Sequence, residues 1–181
     1  FKLDVPGHPA EMSSGFELNH TVNDMVVAEA SIGGVIRRLA FLATTADDRE
    51  LMILDVTNPS AITQIYNPQQ NLPGDFDAKS IYLSGGRLFI GRESSVWPDL
   101  YVYDITRPEF GAFILGSAEV GAGVIALRAT ENLAFLTTDK SGEEFQVWDV
   151  SDLSSMANLS KLSVSGVFAG GLDLDENLIY I

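Results

Sequence analysis

The feature that most constrains this chain is an internal repeat. One apolar pentapeptide ending in aspartate occurs three times, as LMILD at 51–55, LYVYD at 100–104 and FQVWD at 145–149, so that Asp55, Asp104 and Asp149 are spaced by 49 and 45 residues. A second motif, RLAFL at 38–42, RLFIG at 87–91, NLAFL at 132–136 and NLIYI at 177–181, places Leu39, Leu88, Leu133 and Leu178 at intervals of 49, 45 and 45. Twelve residues separate Leu39 from Leu51, Leu88 from Leu100 and Leu133 from Phe145. A recurrence of this length marks a stack of supersecondary units, each too small to bury its own apolar face.

Both motifs are short, rich in β-branched and aromatic residues, and joined by polar stretches at Thr44–Glu50, Arg92–Asp99 and Thr137–Glu144. They predict a hairpin in every repeat. Leu51 and Ile53 alternate with Met52 and Leu54, so the strand is apolar on both faces and needs a layer on each side. Further strands are predicted after each aspartate, at Ile62–Tyr66, Ala112–Leu115 and Leu159–Val164, and before each hairpin, at Ser80–Leu83, Val124–Leu127 and Gly171–Asp173. Four strands per repeat is the anatomy of a β-propeller blade. In the first repeat the inner strand is placed at Asp24–Val27, with Ala28–Arg38 as a connection and Ile32 as the competing strand position.

The expected fold is therefore all-β, a partial propeller of about three and a half blades. Its approximate limits are 22–77, 78–122, 123–168 and an incomplete 169–181, after a tail or blade remnant at 1–21. Closed rings take about four to eight blades, which predicts that the segment comes from a longer chain. Open blade edges would favour self-association.

At LMILD, LYVYD and FQVWD the sequence resembles the LVIVD-repeat family, a likeness that runs from about Val22 to Ile181 and is strengthened by Asp55-Val56-Thr57-Asn58-Pro59 and its near copy at 104–108. Leu153 stands where the third copy would have proline. The resemblance implies a bacterial or archaeal β-propeller, often exported or surface-attached, with no catalytic motif to carry over. WD-repeat proteins fit less well, because Trp148-Asp149 lacks a Gly-His partner and the period is too long.

The residues after each aspartate are turn formers, Thr57-Asn58-Pro59, Thr106-Arg107-Pro108 and Ser151-Asp152. Asp55, Asp104 and Asp149 are accordingly read as structural turn residues; three carboxylates lining one site is the functional alternative. Asp173, Asp175 and Asn177 resemble the opening of a calcium loop, but Leu178 stands where glycine should turn the chain, so an acidic turn is the plainer reading. Asp47-Asp48 and Glu143-Glu144 read as solvated hairpin tips. Gly121-Ala122-Gly123-Val124-Ile125-Ala126 has dinucleotide-fingerprint spacing, yet a strand follows where a helix is required. Gly116 to Gly121 has P-loop glycine spacing without the Lys-Ser/Thr pair. Tyr101, Tyr103 and Trp148 are assigned to blade cores and Trp97, beside Pro98 in a hairpin loop, to an exposed contact. Asn19 and Asn158 head glycosylation sequons.

Composition narrows function by exclusion. A net charge of −14 repels phosphate backbones, which argues against nucleic acid. Zero cysteines remove disulfides, zinc-thiolate sites and thiol catalysis. No apolar run approaches bilayer length. His8 and His20, both before the repeats, are the only histidines, and neither H-E-x-x-H nor G-x-S-x-G occurs. The leading expectation is a non-enzymatic interaction module on an exported or surface protein, binding a protein or glycan, with no cofactor. The alternatives are a metal-dependent hydrolase, with Asp24, Asp77, Glu131 and Asp173 as available acids, and a structural assembly unit.

Overall fold

The computed structural model describes residues 16–65, 71–93, 96–164, 170–175 and 178–181. Three four-stranded antiparallel sheets follow one another in sequence, each in simple meander order. Blade one holds β1 (Val22–Ile32), β2 (Val35–Thr44), β3 (Leu51–Asp55) and β4 (Thr63–Ile65). Blade two holds β5 (Ala78–Ser84), β6 (Arg87–Arg92), β7 (Leu100–Asp104) and β8 (Phe113–Ala118), with a 3₁₀ turn at Pro108–Phe110. Blade three holds β9 (Val124–Ala129), β10 (Leu133–Thr138), β11 (Phe145–Asp149) and β12 (Ala157–Leu162), and the hairpin of β13 (Asp173–Asp175) and β14 (Leu178–Tyr180) opens a fourth. The chain is a partial β-propeller. Among the described residues no helix is long and apolar enough to cross a membrane.

Successive blades pack face to face because their middle strands are apolar on both sides. Leu51, Ile53 and Phe41 of blade one meet Ile81, Leu88, Ile90, Tyr101 and Tyr103 of blade two in one buried cluster. The opposite face of blade two, with Phe89, Leu100 and Val102, meets Val124, Leu127, Leu136 and Trp148 of blade three. Phe135 and Phe145 turn away from that seam and pack with Leu172 and Leu174. The far face of blade one is covered in part by Phe16 and Leu18, so part of the predicted 1–21 tail packs onto the blade. The first strands β1, β5 and β9 pack on one another in order and surround the axis.

Two sequence-based expectations are corrected. Ala28–Arg38 is no connection: β1 and β2 pair continuously from Asp24↔Ala43 to Ile32↔Val35. The reason is Gly33-Gly34, with φ +57° and +81°, the left-handed pair that a two-residue hairpin requires. Gly85-Gly86 makes the same turn in blade two, with φ +58° and +77°.

The second correction concerns register. Leu39 pairs with Asp55 and Leu133 with Asp149, but it is Arg87, one residue before Leu88, that pairs with Asp104. The loop from β6 to β7 is one residue longer than its counterparts, so the constant spacing of twelve hides a slip. A one-residue shift reverses faces. Leu88 thus packs toward blade one, while Phe41, Phe89 and Phe135 are the equivalent residues that point forward to the next blade.

Candidate functional site

Each first strand carries the same irregularity. Pairing jumps from Val22↔Thr44 to Asp24↔Ala43, from Ala78↔Arg92 to Ser80↔Gly91, and from Val124↔Thr138 to Ala126↔Thr137. Every jump leaves one residue unpaired, a β-bulge that re-aims its side chain. The three bulge residues are Asn23, Lys79 and Ile125, and all three line one cleft of ≈ 370 Å³ together with Glu93, Gly123, Asp139 and Gly170. A shallower cleft of ≈ 300 Å³ shares them and adds Asp24, Arg128 and Leu172. The repeat thus delivers one side chain per blade to a common mouth on the axis.

Hydrogen bonds between neighbouring strands hold this mouth. Asn23 donates its amide N–H to the Ala78 carbonyl at 2.7 Å, Asp24 accepts the Ile81 N–H at 3.0 Å, and Ser80 donates its hydroxyl to the Val124 carbonyl at 3.1 Å. Asp139 accepts the Gly123 N–H at 2.8 Å. Lys79 pairs with Glu93 at 2.8 Å and Asp77 at 3.1 Å. Burial alone pulls the Lys79 ammonium down, but these two carboxylates outweigh it and hold its pKa above the ordinary lysine value. Below the mouth Arg128 lies over the Tyr82 ring at 5.2 Å and reaches Asp173 at 3.3 Å, tying blades two, three and four.

The residues singled out from sequence fall elsewhere or in other roles. Asp55, Asp104 and Asp149 sit at the ends of β3, β7 and β11 and accept the N–H groups of Thr57, Thr106 and Ser151 at 2.9, 2.8 and 2.9 Å. The Thr106 bonds lower the Asp104 pKa, and the Ser151 hydroxyl and N–H do the same for Asp149. For Asp55 burial acts upward, but Thr57 and Arg37 win and the pKa is lowered. Asp173 and Asp175 lie on β13 with Leu174 between them, and Asn177 lies outside the described residues. Trp97 is 47% exposed next to Val96 at 87%, and a Cβ on Gly74 would come within 2.9 Å of its ring. Val124, the fourth residue of the glycine-rich stretch, starts a strand. Of the four acids considered for a hydrolase, Asp24 accepts the Ile81 N–H, Asp77 pairs with Lys79 and Asp173 pairs with Arg128. Among the described residues no group of three or more His, Asp or Glu side chains is placed to hold a metal.

Sequence reasoning missed a second repeated device. Glu50, Asp99 and Glu144 each stand immediately before the pentapeptide, five residues ahead of its aspartate. Each accepts backbone N–H groups from the chain entering the next blade: Leu72 at 2.8 Å, Val120 and Gly121 at 3.2 and 3.0 Å, and Val164 at 3.2 Å. Glu144 is therefore not a solvated tip as read from sequence, and Glu143 beside it is paired with Lys161 at 2.6 Å.

The LVIVD-repeat family model matches residues 43–67, the span that contains β3, its terminal Asp55 and β4. That segment is an LVIVD repeat, in line with the resemblance read from the pentapeptides. No curated protein matches the chain. The matched segment belongs to the framework of blade one, while the axial cleft is built from first-strand bulges, all three of which lie outside the matched residues, Asn23 before them and Lys79 and Ile125 after them.

Proposed function

We propose that this chain is a non-enzymatic interaction module of an exported or cell-surface protein, binding a protein or glycan at the axial cleft. The observation that supports this reading is the bulge repeated at one register in three blades. It gathers an amide, an ammonium and an apolar side chain, Asn23, Lys79 and Ile125, around one opening. A concave site with a few oriented polar groups beside apolar surface suits hydroxyl- and amide-bearing ligands. The carboxylates that line it, Glu93 and Asp139, are held by Lys79 and by the Gly123 N–H, an arrangement that positions them.

The test is to probe glycan and extracellular-protein arrays with the chain and with Asn23→Ala and Lys79→Ala. The expected result is a ligand retained by the parent and weakened at least about tenfold by either variant, about 1.4 kcal/mol, with both variants still folded by circular dichroism. Retention by both variants would move the site elsewhere. Turnover of ester or phosphate substrates with added divalent metal would replace this reading by the hydrolase. An assembly role stands second, supported by β8, an outer edge strand without charged residues whose Phe113, Ile114 and Leu115 are exposed.

A further inference from the structure

Three Asn-x-Ser/Thr triplets occur in the chain, Asn19-His20-Thr21, Asn58-Pro59-Ser60 and Asn158-Leu159-Ser160, and their surroundings separate them. Such a triplet is the acceptor for N-linked glycosylation, which adds a bulky hydrophilic group and needs its asparagine on an exposed segment. Proline in the middle position bars the second triplet, where the Asn58 side chain also accepts the Ser60 N–H at 3.0 Å to close a turn. The third lies within β12, with Asn158 opposite Trp148 and Ser160 opposite Val147. The Asn158 amide nitrogen donates at 3.0 Å to Oε1 of Gln146, which is 0% exposed, and the same oxygen receives the Trp148 indole N–H at 3.0 Å.

Asn19 differs on each count. It stands in a bend just ahead of β1, and among the described residues it is the one non-glycine residue with positive φ, at +60°. Asparagine enters that left-handed region more readily than other side chains, which lets the chain turn outward at this point. Asn19, His20 and Thr21 are all exposed, and among the described residues the Asn19 side chain has no hydrogen-bond partner. The segment is nonetheless anchored on both sides of the acceptor. Phe16 and Leu18 pack against blade one, while Thr21 donates its N–H to Thr45 Oγ1 at 3.2 Å and accepts the Thr45 N–H at 3.1 Å. Those bonds use the backbone of Thr21 and not its hydroxyl. Glu17, Asn19 and Thr21 line one open depression of ≈ 510 Å³, so the acid, the amide and the hydroxyl of alternate residues are reached from the same side.

We infer that Asn19 is an acceptor for N-linked glycosylation, with Thr21 supplying the hydroxyl of the sequon and Glu17 the acid two residues ahead that the bacterial form of the sequon carries. The donor class is an oligosaccharide joined through pyrophosphate to a polyprenyl lipid. The Asn19 amide nitrogen bonds to the anomeric carbon as the bond from that carbon to the phosphate oxygen breaks. One amide proton passes to a base, and the lipid pyrophosphate leaves with the electron pair. An amide nitrogen attacks only when rotated out of conjugation with its carbonyl, a rotation that is open to Asn19 and opposed at Asn158 by its bond to Gln146. The assignment rests on the exported location proposed above, because these donors are consumed beyond the cytoplasmic membrane.

The test incubates the purified chain with a bacterial single-subunit oligosaccharyltransferase and a lipid-pyrophosphate-linked oligosaccharide, and reads intact mass. The expected result is one glycan increment on the parent and on Asn158→Gln, none on Asn19→Gln, and transfer at least about tenfold slower to Thr21→Val, which lacks the hydroxyl that the enzyme must bond. Glu17→Gln should slow transfer in the same sense. Far-ultraviolet circular dichroism checks that the blades of each variant are intact. An unmodified parent, or an increment that survives Asn19→Gln, would overturn the site. Enzyme and donor are supplied to the purified chain, so such a failure leaves the exported location and the axial cleft standing; conversely Asn23→Ala and Lys79→Ala, which probe the cleft, leave the sequon whole.

Discussion

At the seam between blades two and three, Asp99 receives the N–H groups of both Val120 and Gly121. At the seam between blades one and two the residue in the same repeat position, Glu50, receives the Leu72 N–H at 2.8 Å and interacts electrostatically with the buried Arg92. The surrounding packing differs in the same sense. Gly91 and Gly116 close the second seam without side chains: a Cβ on Gly91 would meet Val124 Cγ1 at 2.4 Å, and one on Gly116 the Leu153 carbonyl oxygen at 2.1 Å. One backbone plan therefore supports a seam closed by steric fit and a seam closed by charge. The lesson is that repetition sets where groups stand, and the residue at each position sets whether the joint responds to pH.

The steric side of the comparison breaks hardest. Gly116→Ala drives a methyl into backbone, which cannot step aside as a side chain can, and should cost about 3 kcal/mol in urea unfolding. A loss below about 1 kcal/mol would mean that blade three moves freely against blade two.

The charge side should show as pH dependence. The folded state binds the Glu50 proton more tightly than the unfolded chain, so stability is fully present below about pH 4.5 and declines as pH rises toward about 7. The loss contributed by this group is of order 3 kcal/mol. Glu50→Gln keeps an acceptor for Leu72 and should remove that slope, so that parent and variant agree near pH 4.5 and the variant is the more stable at pH 8. Identical pH profiles would place no titrating group in the first seam.

Asp99→Ala leaves two N–H groups without this carboxylate and should cost about 2 kcal/mol, with little effect on the pH profile below 7 attributable to the first seam. The smallest effect is expected outside both seams. Lys161→Ala breaks a solvent-facing pair with Glu143 and should leave the urea midpoint nearly unchanged, with any difference diminishing further in high salt.

Much of the fold was legible because the pentapeptides are apolar on both faces and recur at blade length. The strand positions of blades two and three follow from that. What sequence concealed was register. The extra residue between β6 and β7 preserved a leucine-to-leucine spacing of twelve while turning Leu88 to the other face. Gly33-Gly34 carried the hairpin signal that Ala28–Arg38 required, and the length of that hairpin made it read as a connection. The axial cleft was less legible still, since a bulge exists only relative to a partner strand, and Asn23, Lys79 and Ile125 share no chemistry by which to align them. Glu50, Asp99 and Glu144 were visible at a constant offset, but acids beside hairpin loops look solvated until the incoming backbone is seen to bond them.

The shared bulge has an engineering consequence. Because the unpaired residue of each first strand contributes no backbone pairing to the ladder, its side chain can be exchanged at the cost of its local bonds, those of Asn23 to Ala78 and of Lys79 to Asp77 and Glu93. Asn23, Lys79 and Ile125 then act as independently editable letters of an address, and substituting them combinatorially on an unchanged scaffold should retarget the mouth one blade at a time.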